Sequence, residues 1–313
     1  MMGPGWIPMI RSKKPLLVAL LTALILLCDG CGQPVVPPPA ERNGDTSAPS
    51  DAAKPAANES AGEGEAVEDA GLEKTNDEKA PTPEKNHAYE PCIFTDVNGN
   101  RTDYGEPSLF LAQGSQSELD ARYLSDIREQ VRAATGGTGD LAAIFEWKDE
   151  NFDTEAAGGQ FVGKLTVDQI VERGTLSGCH DHGLVLVSVL REFGFPAVMV
   201  DAAGIQWALD YAAEEAVGFV GHVFVEVFTR DGWILLDSTS GLYVPDYDPC
   251  QPVIPLPKEI EPQGYYALLK GRDPAGYGVN RIDDLQEHMR AFASRAESID
   301  FTFPSYEVRQ LPR

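Results

Sequence analysis

The sequence predicts an α+β domain in which one buried helix packs on an antiparallel sheet, and three stretches predict it. Residues 178–200 read as helix and then strand. Leu184, Val185, Leu186, Val187, Val189, Leu190 and Phe193 leave only Ser188, Arg191 and Glu192 polar, and a helix apolar nearly all round is a buried one. Residues 219–228 alternate cleanly: His222, Phe224, Glu226 and Phe228 on one face, Val223, Val225 and Val227 on the other. Arg230, Asp231 and Gly232 then signal a hairpin that returns along residues 233–237.

The remaining elements follow in order. A helix over residues 117–134 carries Leu119, Tyr123, Leu124, Ile127 and Val131 as its apolar stripe, and the glycines at 136, 137 and 139 break it. Asp140 is the N-cap of a second helix with Leu141, Ile144, Phe145 and Trp147 inward. Residues 156–163 read as loop. Thr166 caps a short helix over 167–173, which Gly174 ends. Gly178 is an acceptable N-cap for the central helix; Asp181 then falls at N3, where a carboxylate suits exposed amides. Gly194 and Pro196 stop that helix, and residues 197–200 enter the core as a strand. Residues 204–218 read as helix or excursion, and 245–262 as a Pro-rich loop. A strand follows at 265–269, a helix at 282–296 and a last edge strand near the C-terminus.

Charge and leader narrow the function classes. The 313 residues carry a formal net charge of −24, which argues against nucleic-acid binding, since polyanions are held by clustered Lys and Arg. Residues 1–31 have a basic start (Arg11, Lys13, Lys14) and an apolar core over 16–27 that is short for a membrane span. Gly30 before Cys31 resembles a bacterial lipoprotein cleavage site with Cys31 as the lipidated residue, although Cys28 and Asp29 depart from the pattern. An uncleaved anchor and ordinary secretion are the alternatives; each leaves the rest of the chain outside the cytoplasm. Residues 32–90, rich in Pro, Ala, Glu, Ser, Asn and Gly, bury too little apolar surface to offset ordering and read as a disordered acidic tether. The globular domain is expected over 91–313. Cys92 and Cys250 are disulfide candidates in an exported protein, a pairing that leaves Cys179 as the odd thiol.

Cys179 opens the buried helix, where the helix dipole favours a thiolate. A nucleophilic cysteine needs a base within reach, and the base needs an orienting group. The hairpin offers both. If Phe228 pairs with Trp233, Asp237 falls opposite Phe224 and becomes the diagonal neighbour of His222, roughly 7–8 Å away at Cα. A tight Asp-Gly turn would set the two further apart. Packing the Cys179 helix against the His222 face would then align thiol, imidazole and carboxylate.

These residues carry a resemblance. Gly178-Cys179-x-Asp181 with Leu190-Arg191-x-Phe193-Gly194-Phe195-Pro196-Ala197 resembles the cysteine motif of the transglutaminase-like superfamily. His222-Val223-Phe224-Val225-Glu226-Val227, and Gly232-Trp233 followed by Asp237-Ser238-Thr239, are similar to its histidine and aspartate motifs. The match covers about residues 141–241. It implies a papain-like fold and acyl transfer through a thioester: Cys179 nucleophile, His222 base then acid, Asp237 orienting His222. It also implies an oxyanion hole from the nucleophile's amide and an upstream donor, for which Trp147 is the candidate and Gln160 the alternative. His182-Gly183 stand where relatives place an aromatic and Ala, so His180 and His182 tune the thiol or belong to another site. Asp181 is read as structural, serving the first helical turn, and Trp233 and Glu226 as packing and cross-strand pairing. A metal site from Cys179, His180, His182 and His222 is weighed against the different directions that adjacent helical positions face.

The expected function is cysteine-dependent acyl transfer on peptide or protein amides, hydrolysis ahead of transamidation, by a lipid-anchored protein facing the periplasm or the extracellular side, with no cofactor. The alternative is a catalytically inactive domain of the same fold that binds peptide or a partner protein. Substrate, oligomeric state and the membrane that holds the tether are left open.

Overall fold

Two of the helices begin where a side chain takes over their orphan amides. Asp140 accepts from Ala143 N at 2.8 Å, and Thr166 forms a reciprocal capping box with Gln169. The structure, a computed structural model, describes residues 92–134, 140–155, 158–258 and 261–312. The leader, Cys31, the tether and the glycine break at 136–139 lie outside the described residues.

The elements are β1 (Ile93–Thr95), β2 (Arg101–Asp103), α1 (Ala121–Ala134), α2 (Leu141–Asn151), β3 (Asp153–Thr154), α3 (Val167–Arg173), β4 (Thr175–Leu176), α4 (Cys179–Glu192), β5 (Ala197–Gly204), α5 (Ile205–Ala212), β6 (Gly221–Thr229), β7 (Gly232–Asp237), β8 (Leu242–Val244), β9 (Val253–Ile254), β10 (Tyr265–Gly271), α6 (Ile282–Ala293) and β11 (Arg309–Gln310). Seven strands form one antiparallel sheet in the order β11-β8-β7-β6-β5-β10-β9. The architecture is α+β. Among the described residues no helix is long and apolar enough to cross a membrane.

Both faces of the sheet are covered, which is why β5 is buried at every residue. One face carries Val223, Val225, Val227, Met199 and Leu236 against α4 and the other helices. The opposite face carries Phe224, Trp233, Leu235, Val198 and Tyr265 under Phe94, Tyr104, Phe110 and Tyr247. Within that second core Glu226 and Lys270 form a fully buried ion pair, Tyr104 OH also donates to Glu226, and Lys270 Nζ lies 4.2 Å over the Phe94 ring. Cys92 and Cys250 are joined by a disulfide that ties the start of this layer to the loop after β8.

Three boundaries differ from expectation. α1 starts at Ala121 and not at 117, because Ser117 Oγ is held by Gly114 N at 2.8 Å and by Arg191 Nη1 at 2.9 Å in a preceding turn. Residues 205–212 are helical because Glu261, brought from far along the chain, accepts from Gln206 N and Trp207 N in place of a cap at Gly204. α6 stops at Ala293, short of 296, and a 3-10 turn Ala296–Ser298 follows. α4 ends at Glu192, with Gly194 at φ 84°, a left-handed turn that glycine adopts without a Cβ clash.

The face on which α4 rests corrects the sequence reading. α4 lies on the valine face, where a Cβ added at Gly183 would stand 2.5 Å from Val223 Cγ1, and not on the face of Phe224 and Glu226. Glycine at 183 is what lets helix and strand approach so closely.

Candidate active site

The hairpin positions two candidate side chains. β6 and β7 pair Phe228 with Trp233 and Phe224 with Asp237, and the turn between Thr229 and Gly232 is Arg230-Asp231. This is the register expected when Phe228 pairs with Trp233, reached here through a two-residue turn, so Asp237 is diagonal to His222 on one face. His222 Nε2 lies 2.8 Å from Asp237 Oδ1. The imidazole meets Phe224 edge-on at 4.8 Å and Tyr265 at 5.8 Å between ring centroids.

The residues after Asp237 explain the Asp-Ser-Thr-Ser run. Asp237 Oδ1 also accepts from Thr239 N at 2.9 Å and Thr239 Oγ1 at 2.8 Å, while Lys258 Nζ stands 3.1 Å from Oδ2. Burial alone would push the carboxyl up. The His222 imidazole, the Lys258 ammonium and the Thr239 amide outweigh it and hold Asp237 well below the usual carboxylate range. His222 Nε2 faces both the Asp237 carboxylate and the Lys258 ammonium, and Nδ1 is the ring nitrogen that neither of them engages.

Cys179 is the first residue of α4, buried at 6% exposure and outside the disulfide. A short turn joins α4 to β5, and β5 is antiparallel to β6, so α4 runs alongside β6 in the same direction. Cys179 precedes Gly183 by four residues, ~6 Å of helix, or about two residues of strand. The helix start therefore overhangs the end of β6 that begins Gly221-His222. Two electrostatic effects agree with this. The Tyr277 hydroxyl, pushed well up first by burial and then by Asp201, is raised further by Cys179. His182, three residues after Cys179, feels the charges of His222, Asp237 and Lys258.

The first turn of α4 is fixed on every side. Asp181 accepts from Ser177 N and Oγ, tying down the loop that leads into Cys179. His180 Nε2 contacts Asp201 Oδ1 at 2.9 Å, and Tyr277 OH donates to Asp201 Oδ2 at 2.6 Å. His182 Nδ1 lies 3.0 Å from Lys148 Nζ. The three imidazoles weighed as metal ligands with Cys179 thus face three different partners: Asp201, Lys148 and Asp237.

The oxyanion candidates fare differently. Trp147 Nε1 donates to Gln130 Oε1 at 2.9 Å, so its indole N–H is engaged between α1 and α2. Gln160 is exposed in the turn-rich segment 158–164. Two lysines that sequence reasoning missed stand at the site. Lys258 sits 2.9 Å from His222 Nε2 as well as beside Asp237, in a loop held by the Lys258–Glu261 backbone bridge. Lys148 is wholly buried on α2. Their one-dimensional contexts, a Pro-rich loop and a helix with other charges, hold no signal for either.

No family model matches the chain, and no curated protein matches it. Among solved structures, a protein from Cytophaga hutchinsonii, provisionally described as a cysteine protease, aligns with 15% sequence identity and a TM-score of 0.37. The alignment covers 55% of this chain and 48% of that chain, about half the length of the matched protein.

Proposed function

We propose that the domain performs cysteine-dependent acyl transfer on peptide or protein amide bonds through a thioester, as a member of the transglutaminase-like superfamily. The observation that carries this reading is the buried His222–Asp237 pair, 2.8 Å between Nε2 and Oδ1, supported by Cys179 standing as the first residue of α4. His222 Nδ1 takes the thiol proton, and the Cys179 sulfur adds to the amide carbon. The C–N bond breaks as His222 returns the proton to the leaving amine. Water, deprotonated by His222, then opens the thioester and releases an acid. Asp237 holds the imidazole orientation and favours the imidazolium between these steps. Hydrolysis is preferred to transamidation because no motif marks a second pocket for an amine. The tether and Cys31 make this an exported, lipid-anchored activity.

A second reading has an observation of its own. Cys179 and His222 are only 6% and 7% exposed, which favours a domain of this fold that binds peptide without turnover. A thiol-reactive probe with mass mapping separates the two. Modification of Cys179 below neutral pH, abolished in His222→Ala, supports an activated thiolate; labelling no faster than a free thiol supports the binding domain. Added primary amine that leaves the product an acid excludes transamidation.

A further inference from the structure

Negative charge grows on the substrate carbonyl oxygen as a thiolate adds to it, and a donor aimed at that oxygen is often the largest single contribution to rate. The Trp147 indole N–H is taken by Gln130, and Gln160 is exposed in the 158–164 segment. The first turn of α4 offers another donor. His182 follows Cys179 by three residues, so the two side chains share a helix face, and helical side chains lean back toward the N-terminus. The imidazole is 8% exposed, and Lys148, wholly buried, brings Nζ to 3.0 Å from its Nδ1. An ammonium has only protons to give, so Nδ1 accepts and the single proton of a neutral ring resides on Nε2. That leaves the Nε2–H edge of the ring as the one turned away from Lys148.

The charged groups facing the ring come from four elements: Lys148 on α2, His222 on β6, Asp237 on β7 and Lys258 on its loop. Burial first, then Lys148, lowers the His182 pKa to about 3, so the ring stays neutral in the working range. A neutral donor suits this place. A second imidazolium would repel the one that forms on His222, whereas neutral imidazoles polarise carbonyls elsewhere in enzymology.

We propose that His182 Nε2–H donates to the substrate carbonyl oxygen and stabilises the oxyanion, with Lys148 as the positioning residue that fixes the His182 tautomer. The assignment rests on the acyl-transfer reading of the same cleft. Two reactions of Cys179 in the full chain separate its parts. Alkylation by iodoacetamide is a displacement that needs the thiolate and develops no oxyanion. Acylation by p-nitrophenyl acetate needs both, and releases p-nitrophenolate as the S-acetyl enzyme forms.

In His182→Phe, acylation should slow by about 10²–10³-fold, the usual loss for an oxyanion donor, while alkylation keeps its rate within a factor of a few. His182→Gln, which retains an N–H, should recover part of the loss. Nitrogen-15 NMR of histidine-labelled protein should show His182 neutral with the proton on Nε2, and Lys148→Met should lose that bias. Equal losses in both reactions would assign His182 to thiolate formation or folding and overturn the proposal, as would undiminished acylation. A wild-type chain that alkylates at Cys179 but is never acylated would instead remove the acyl-transfer reading, and this assignment with it.

Discussion

Replacing Lys270 by Met tests how the second core is held together. Lys270 and Glu226 have fully buried side chains in contact with one another. Lys270 also donates to Pro249 O at 2.7 Å. Burial pushes the Glu226 carboxyl up and the Lys270 ammonium down, and each draws the other back toward its charged form. Met fills the methylene volume but leaves Glu226 with the neutral hydroxyls of Tyr104 and Tyr247 in place of an ammonium. Stranding one member of a buried pair costs about 3–5 kcal/mol, a large fraction of the ~5–15 kcal/mol that stabilises a domain. The sign of the pH dependence follows from Glu226. Without Lys270 its folded pKa lies above its unfolded value, so the folded chain binds the extra proton and the deficit shrinks as pH falls toward the unfolded pKa. Urea unfolding followed by fluorescence near neutrality and at about pH 5 measures both effects. Adding Glu226→Gln to Lys270→Met should recover about half the loss, because the stranded charge is gone. A loss below ~1 kcal/mol near neutrality, the scale of an exposed pair, or one that does not change with pH, would refute the account.

Other expectations follow from single contacts. Gly204→Ala would drive its Cβ into Glu261 Oε2 and displace the carboxylate that caps α5, lowering stability by about 1–3 kcal/mol and loosening Lys258 through its bridge to Glu261; urea unfolding measures it. Cys92→Ser should cost ~2–5 kcal/mol, since the disulfide closes a separation of 158 residues, and parallel melts with and without reductant check it. Burial raises Glu261 to about 7, against two helix amides that lower it, so stability should fall as pH rises from about 4.5 through about 7, and Glu261→Gln should flatten that slope. Asp237→Asn should slow Cys179 acylation by roughly 10²–10⁴-fold with the fold intact by circular dichroism, because the imidazole loses its ionised partner; an unchanged rate counts against the His222 assignment.

What was legible in the sequence was whatever depends on neighbours along the chain. Alternation over residues 219–228 separated valines from His222, Phe224 and Glu226, and the hairpin register then made Asp237 diagonal to His222. Caps at Asp140 and Thr166 were equally local. Long-range closure was not legible. Residues 205–212 gave no clear helix signal because the group that caps them, Glu261, is over fifty residues away. Trp147 looked like a site donor by position, but its helix turns the indole to Gln130 on α1. Alternation could sort two faces without saying which one α4 would cover; Gly183 decides that through its contact with Val223.

The staple between Cys92 and Cys250 sets a lower limit on any excised version of the domain. Phe94, Tyr104 and Phe110 lid the sheet on the side away from α4, and they precede the first α-helix. A recombinant fragment cut at α1 would keep Cys179, His222 and Asp237 yet strip that lid from Glu226 and Lys270, wetting a charge pair that has no solvent in the intact fold. Expression boundaries chosen around the three motif segments alone would therefore expose that pair and lose the disulfide, and a start that keeps both lies upstream of Cys92.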